Sequence, residues 1–271
     1  MASVGAAGVY LAAAAASVRV QAERPGVFVA RTLTSGLMQL AEIAGFVLLI
    51  DRFAELAGWT GPEVGVLFGL GATAQGIAQG VGRQLDPGDF SELVRRGRFD
   101  QVLLRPVRPL AWLLASTFDL RYLGRGLTGV VILAWAADRA GVVWTAPNLG
   151  LAAGSVACCA GILLSVFVLG AALTLRTIEG TELLNVLTFG GVSLTSFPME
   201  IYGPVLRFVF TWVLPFALAV YVPALVLLGR AGTPGLSRAL LLVTPFATVA
   251  LAAAAALGWR AGIRRYLGTG S

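Results

Sequence analysis

Apolar residues in this chain gather into long runs and do not alternate with polar ones. The runs near 27–50, 64–82, 149–173 and 236–257 are each about 20 residues, long enough to cross the hydrocarbon core of a bilayer as helices. Another, at 109–137, opens with a polar interfacial part carrying Asp119, Arg121 and Arg125 and becomes apolar only from 127. Two stretches fit less simply. The segment 183–197 is short for a span and ends at Pro198. The segment 205–228 is broken by Pro215 and Pro223, which is awkward in a straight helix and natural in a pair that dips into the bilayer and returns. No ten-residue alternation of the barrel kind occurs. The pattern predicts an all-α polytopic membrane protein of about six transmembrane helices, folded as a single domain over 1–271.

The polar stretches between the runs add three elements. At the start, Tyr10, Leu11 and Val18 followed by Arg19 and Glu23 suit an N-terminal interfacial helix over 1–25, turned inward by Pro25. No basic residue precedes the apolar part, so it does not read as a secretory leader. Between the second and third spans, 86–108 reads DPGDFSELVRRGRFDQVLLRPVR. Asp89 is placed to cap a short helix over 90–96, with Glu92 reaching back in a capping box and Gly97 supplying a left-handed stop. Glu92 and Arg96 form an i,i+4 pair in the order the helix dipole favours. A second amphipathic piece, 99–104, is stopped by Pro106, which Arg105 and Arg108 flank.

Composition fixes the class and the orientation. Hydrophobic residues make up 57% and charged ones 13%, and mean hydropathy is +0.83, far from a soluble domain. Net charge is +6, and every basic residue is arginine. The arginines cluster in 86–108 and after Trp259, at Arg260, Arg264 and Arg265, whereas the loop 51–63 is net acidic. That asymmetry puts both termini in the cytoplasm and assigns the charge to membrane topology, not to nucleic acid. The chain has no histidine, no G-x-S-x-G nucleophile motif and no G-x-x-x-x-G-K-[ST] loop. No catalytic residue, metal ligand or nucleotide site is therefore assigned to it. Cys158 and Cys159, adjacent in an apolar run, read as packing residues.

Some polar residues lie inside the spans. Arg31, Ser35, Gln39 and Glu42 recur on one helical face, and Gln75 and Gln79 sit beside the small pairs Gly65/Gly69 and Gly76/Gly80. Neutral polar residues commonly bond across packed helices. An acid at the depth of Glu42 calls for a partner or a function. One reading of Glu42 is the ion site of an ion-coupled secondary transporter; against it, no inverted repeat is evident and only one segment is broken.

Two motifs carry a resemblance: ELVRRGRFDQVLLRPVR over 92–108 and FPMEIYGPVLRFVFTWVLPFALAVYVPALVLLG over 197–229. With them the chain, over nearly its whole length, resembles the ABC transporter permeases of the type-2 exporter class, in particular the viologen and multidrug exporter subfamily. The resemblance implies that 86–108 is a cytoplasmic coupling segment docking on a separate ATPase, through Asp89, Glu92, Arg95, Arg96 and Arg105, with Phe90, Leu93 and Phe99 as apolar anchors. It implies that 183–197 is the fifth span and 198–229 an outer re-entrant helix pair. It implies two ATPase copies holding ATP and Mg, with no cofactor in this chain, and a second permease, identical or homologous. A path lined by Ser35, Gln39, Glu42, Gln75, Gln79, Asn185 and Thr188 would move a hydrophobic, amphipathic or cationic molecule out across a bacterial plasma membrane. The chain itself would not be an enzyme.

Overall fold

The computed structural model describes residues 55–116, 121–175, 196–230 and 240–266, together with Gly190 and scattered helical positions between 15 and 48. Two short strands, β1 (Glu55–Leu56) and β2 (Trp59–Thr60), pair antiparallel across Ala57 and Gly58. Both turn residues have positive φ, 54° and 78°, the backbone that a tight two-residue hairpin requires. The hairpin delivers Thr60 to the start of α1 (Gly61–Gly82), where the Glu63 carboxylate accepts from the Thr60 N–H at 2.7 Å and from its hydroxyl at 2.9 Å. This cap starts the second span at Gly61, three residues earlier than the apolar run.

From α1 the chain passes through a 3-10 turn (Arg83–Leu85) into α2 (Pro87–Arg95), α3 (Arg98–Leu103) and α4 (Pro109–Ser116). It rises again as α5 (Arg121–Arg139) and descends as α6 (Ala146–Thr174), which Thr145 caps by accepting from the Asn148 N–H. After Ser196 come α7 (Pro204–Phe208), continued by a π turn (Val209–Val213), then α8 (Phe216–Ala219), α9 (Tyr221–Leu227) and α10 (Leu240–Arg265).

Glycines set the two main seams. Antiparallel α1 and α5 cross so closely that a Cβ on Gly69 would lie 2.7 Å from Leu133, one on Gly129 2.5 Å from the Thr73 N, and one on Gly76 2.6 Å from the Gly126 Cα. The packing role expected of Gly69 and Gly76 is thus realised. Helices α6 and α10 run parallel: Gly161 faces Thr248, Gly258 faces Leu169 and Gly262 faces Ala172. Leu127, Val131 and Trp135 of α5, and Leu242, Phe246 and Val249 of α10, are exposed.

Among the described residues three helices are long and apolar enough to span: Gly61–Arg95 taken as one continuous run, Ala146–Thr174 and Leu240–Arg265. The pair Pro204–Val213 and Phe216–Leu227, bent by 71°, makes a fourth if counted as a single span. The bent pair falls where the two prolines predict it. The first and fifth spans expected at 27–50 and 183–197 lie for the most part outside the described residues; of the other four, the second, fourth and sixth match long apolar helices, whereas the third, 109–137, is divided into α4 and α5, neither of them long and apolar enough to span. Trp259, at the end of the last apolar run, is 4% exposed, because the segment 86–108 closes over it.

Candidate functional site

The segment 86–108 is a compact pair of helices under the body. Its start differs from the expected one: the cap is Asp86, not Asp89. Asp86 is extended at ψ 133° and accepts from the Gly88 N–H at 3.2 Å, and Pro87 follows within the first turn, where its missing N–H costs nothing. Asp89 is then a first-turn acid paired with Arg83 at 2.8 Å. Glu92 closes no capping box; it binds forward to Arg96 at 2.6 Å and Arg95 at 3.1 Å. The Arg96 hydrogen bond and charge, helped by Arg95, hold the Glu92 carboxyl below its usual range. Burial raises that of Asp86 despite the nearby Arg83. Gly97 ends α2 at φ 65°, the left-handed stop expected there.

The apolar side of this helix pair turns inward, which corrects the anchor assignment. Phe90 and Phe99 are 0% exposed and Leu93 is 8% exposed, all in contact with the chain's own core. Phe90 meets Phe99 at 5.4 Å and Trp259 at 5.8 Å; Phe99 meets Trp259 at 6.0 Å and Tyr266 at 5.3 Å, the last nearly edge-on. Such pairs contribute roughly 0.5–1.5 kcal/mol each beyond the area they bury. Four rings therefore fasten the segment to the end of α10. The reason is patterning: the apolar residues of both short helices, Phe90, Leu93 and Val94 of α2 and Phe99 and Val102 of α3, share the inward side.

Outward lie Arg95, Arg96, Arg98, Gln101, Arg105 and Arg108, all exposed, and Leu104, which is 86% exposed. Arg105 stacks 4.2 Å over the Trp112 ring, which fixes the turn at Pro106. A shallow depression of about 220 Å³ opens between Arg83, Asp89, Glu92, Arg96 and Arg98. Leu104 was not singled out from the sequence. The available signal was its place one residue past the inward stripe of Phe99, Val102 and Leu103.

Of the path residues, Gln75 and Gln79 are buried on α1, at 7% and 5% exposure, and the Gln79 side-chain oxygen has no hydrogen-bond partner among the described residues. Ser35, Gln39, Glu42, Asn185 and Thr188 lie outside the described residues.

At the other end of the spans the bent pair is held by side chains that the sequence did not single out. The break between α8 and α9 leaves carbonyls without a helical donor. Ser155 of α6 donates to the Ala219 oxygen at 2.5 Å, and Thr244 of α10 donates to the Leu218 oxygen at 3.0 Å. The Tyr221 hydroxyl donates to the Glu200 carboxylate. Just past Gly229 (φ 70°), Arg230 binds the Glu63 carboxylate at 2.8 Å and donates to the Gly58 carbonyl at 3.0 Å; its guanidinium carbon sits 5.1 Å from the Trp59 ring centroid. A left-handed glycine followed by an arginine at the end of an apolar run was the signal for this clasp.

The described residues thus form an all-helical membrane body, with a charged helix pair at one end of its long apolar helices and a bent pair at the other. The chain belongs to the ABC-2 family of transporters: the family described as ABC-2 family transporter protein matches residues 37–270. It is thus a multi-pass membrane permease of a family whose members generally pair with ATPase subunits that hydrolyse ATP for them. Neither the curated proteins nor the solved structures give a significant match.

Proposed function

We propose that this chain is one permease of an exporter in which 86–108 takes up the stroke of a partner ATPase. The observation that carries the reading is the two-sided build of the segment: its inner face is spent on the permease core, and its outer face presents arginines around a single exposed leucine. The contact on the ATPase is made by Leu104, Arg95, Arg96, Arg98 and Arg105, with Asp89 and Glu92 fixing Arg83 and Arg96 in place. Phe90, Leu93 and Phe99 act from behind. ATP and Mg are held by the partner. Two ATPases serve two permeases, the second identical or homologous. The segment 183–197 is the fifth of six spans, and both termini face the cytoplasm of a bacterial cell.

The test is co-purification with the ATPase, followed by native mass spectrometry. The parent should give two permeases with two ATPases, and Leu104→Asp combined with Arg98→Glu should weaken the complex about tenfold or more, as loss of an interface hot spot does. A complex unchanged by both substitutions would remove the docking assignment.

The substrate is a hydrophobic, amphipathic or cationic molecule, as for viologen and multidrug exporters, and Glu42 supplies the negative group on its path. Glu42→Gln should slow efflux of a cationic dye while leaving a neutral hydrophobic dye unaffected. Equal loss of both dyes would make Glu42 structural.

A further inference from the structure

The proposed function makes the coupling segment the point where force enters; how that force reaches the outer end is a separate question. Helices α6 and α10 touch both ends. At the inner end, Trp259 and Tyr266 are the α10 contribution to the ring cluster with Phe90 and Phe99. At the outer end, Ser155 of α6 and Thr244 of α10 hold two neighbouring carbonyls of the bent pair, Ala219 and Leu218. Thr244 and Trp259 are separated by about 22 Å of helix. Between the two ends, the glycine seam at Gly161, Gly258 and Gly262 brings the two backbones too close to slide independently: a Cβ on Gly262 would already stand 3.0 Å from the Ala172 carbonyl oxygen.

We propose that α6 and α10 form one lever, gripped at the inner end by the Phe90–Phe99–Trp259–Tyr266 rings and at the outer end by the Ser155 and Thr244 hydroxyls, and that it moves the bent pair when the coupling segment is pushed. Trp259, Ser155 and Thr244 are positioning residues; none contacts nucleotide or ATPase. Closely packed rings pass on a displacement because a filled interior leaves them no slack. The hydroxyl bonds hold carbonyls that the broken helix leaves without an internal donor, so the bent pair follows the lever or loses those bonds.

The test uses the full complex in liposomes, with Cys158 and Cys159 replaced by alanine and a spin label attached through Val205→Cys, an exposed position on the bent pair (74% exposed). Nucleotide should change the label's spectrum in this parent. Trp259→Leu, and separately Ser155→Ala with Thr244→Val, should abolish that change and lower transport per ATP hydrolysed by between about twofold and thirtyfold, the range by which coupling positions act. ATP hydrolysis and complex assembly should persist, and Trp259→Phe should restore coupling. A parent label blind to nucleotide, or variants that keep both the label's response and the transport ratio, would overturn the lever. Should Trp259→Leu fail to fold, Tyr266→Leu removes a half-buried ring from the same cluster, and full coupling in that variant would also overturn it. These outcomes are separable from failure of the docking assignment, which is read from complex assembly alone.

Discussion

A Gly76→Val chain is expected to enter the membrane and fold, but to melt well below the parent. At this crossing a Cβ would lie 2.6 Å from the Gly126 Cα and 2.9 Å from the Tyr122 carbonyl oxygen, so the obstacles are backbone atoms that no rotamer change can move. Overpacking of this kind typically costs about 1–3 kcal/mol, and more where two helices must separate, against a total stability of about 5–15 kcal/mol. Apparent melting in detergent, followed by monodispersity, should fall by about 5 °C or more. Gly154→Ala in α6 is the control. A Cβ there meets nothing within 4 Å, so that variant should melt with the parent or slightly above it. A Gly76→Val protein as stable as the parent would mean that the tight crossing is not what holds α1 and α5 together.

Arg230→Ala should loosen the outer end more than any other single charge removal. The Glu63 side chain is only 13% exposed, and it keeps its Thr60 donors but loses its cation at the same moment as the Gly58 carbonyl loses a donor and the Trp59 ring its cation. The pair is partly buried. Its loss should therefore cost between the roughly 1 kcal/mol ceiling of exposed pairs and the roughly 3–5 kcal/mol of buried ones. Arg230→Lys should recover only part, because an ammonium is a single point of charge and cannot match a planar fork that binds Glu63 through Nε and Gly58 through Nη2 while covering a ring. Thermal melting and protease access at residues 198–230 report the change. If Arg230→Ala matches the parent in both, the clasp is ornamental.

What the sequence disclosed followed from periodicity and from residues with one dominant use. Pro215 and Pro223 marked the bent pair, Gly97 the end of α2, and Gly69 and Gly76 a close crossing. The misreadings came where two principles competed. Both Asp86 and Asp89 can cap a helix, and Pro87 decided for the earlier one by suiting the first turn. Phe90 and Phe99 looked like anchors for a partner because 86–108 reads as an isolated charged element. Nothing local shows that Trp259, some 160 residues away, folds back onto them. Ser155 and Thr244 were invisible for a related reason: a hydroxyl in an apolar helix usually bonds within its own turn, as Ser165 does to Gly161, and only the tertiary fold places these two beside freed carbonyls.

The parallel seam between α6 and α10 also bears on how the protein is made. Ala172 leaves the ribosome about 90 residues before Gly262, a delay of roughly 5 to 18 s at ordinary rates of synthesis. The α1–α5 crossing joins Gly76 to Gly126 after only about 50 residues, so it can close first. Throughout the wait the rings of Phe90 and Phe99 lack the tryptophan that covers them, and the Leu218 carbonyl lacks its Thr244 donor. Both the ring cluster and the Thr244 hold on the bent pair can therefore form only once α10 has been made, well after the α1–α5 crossing has had the chance to close.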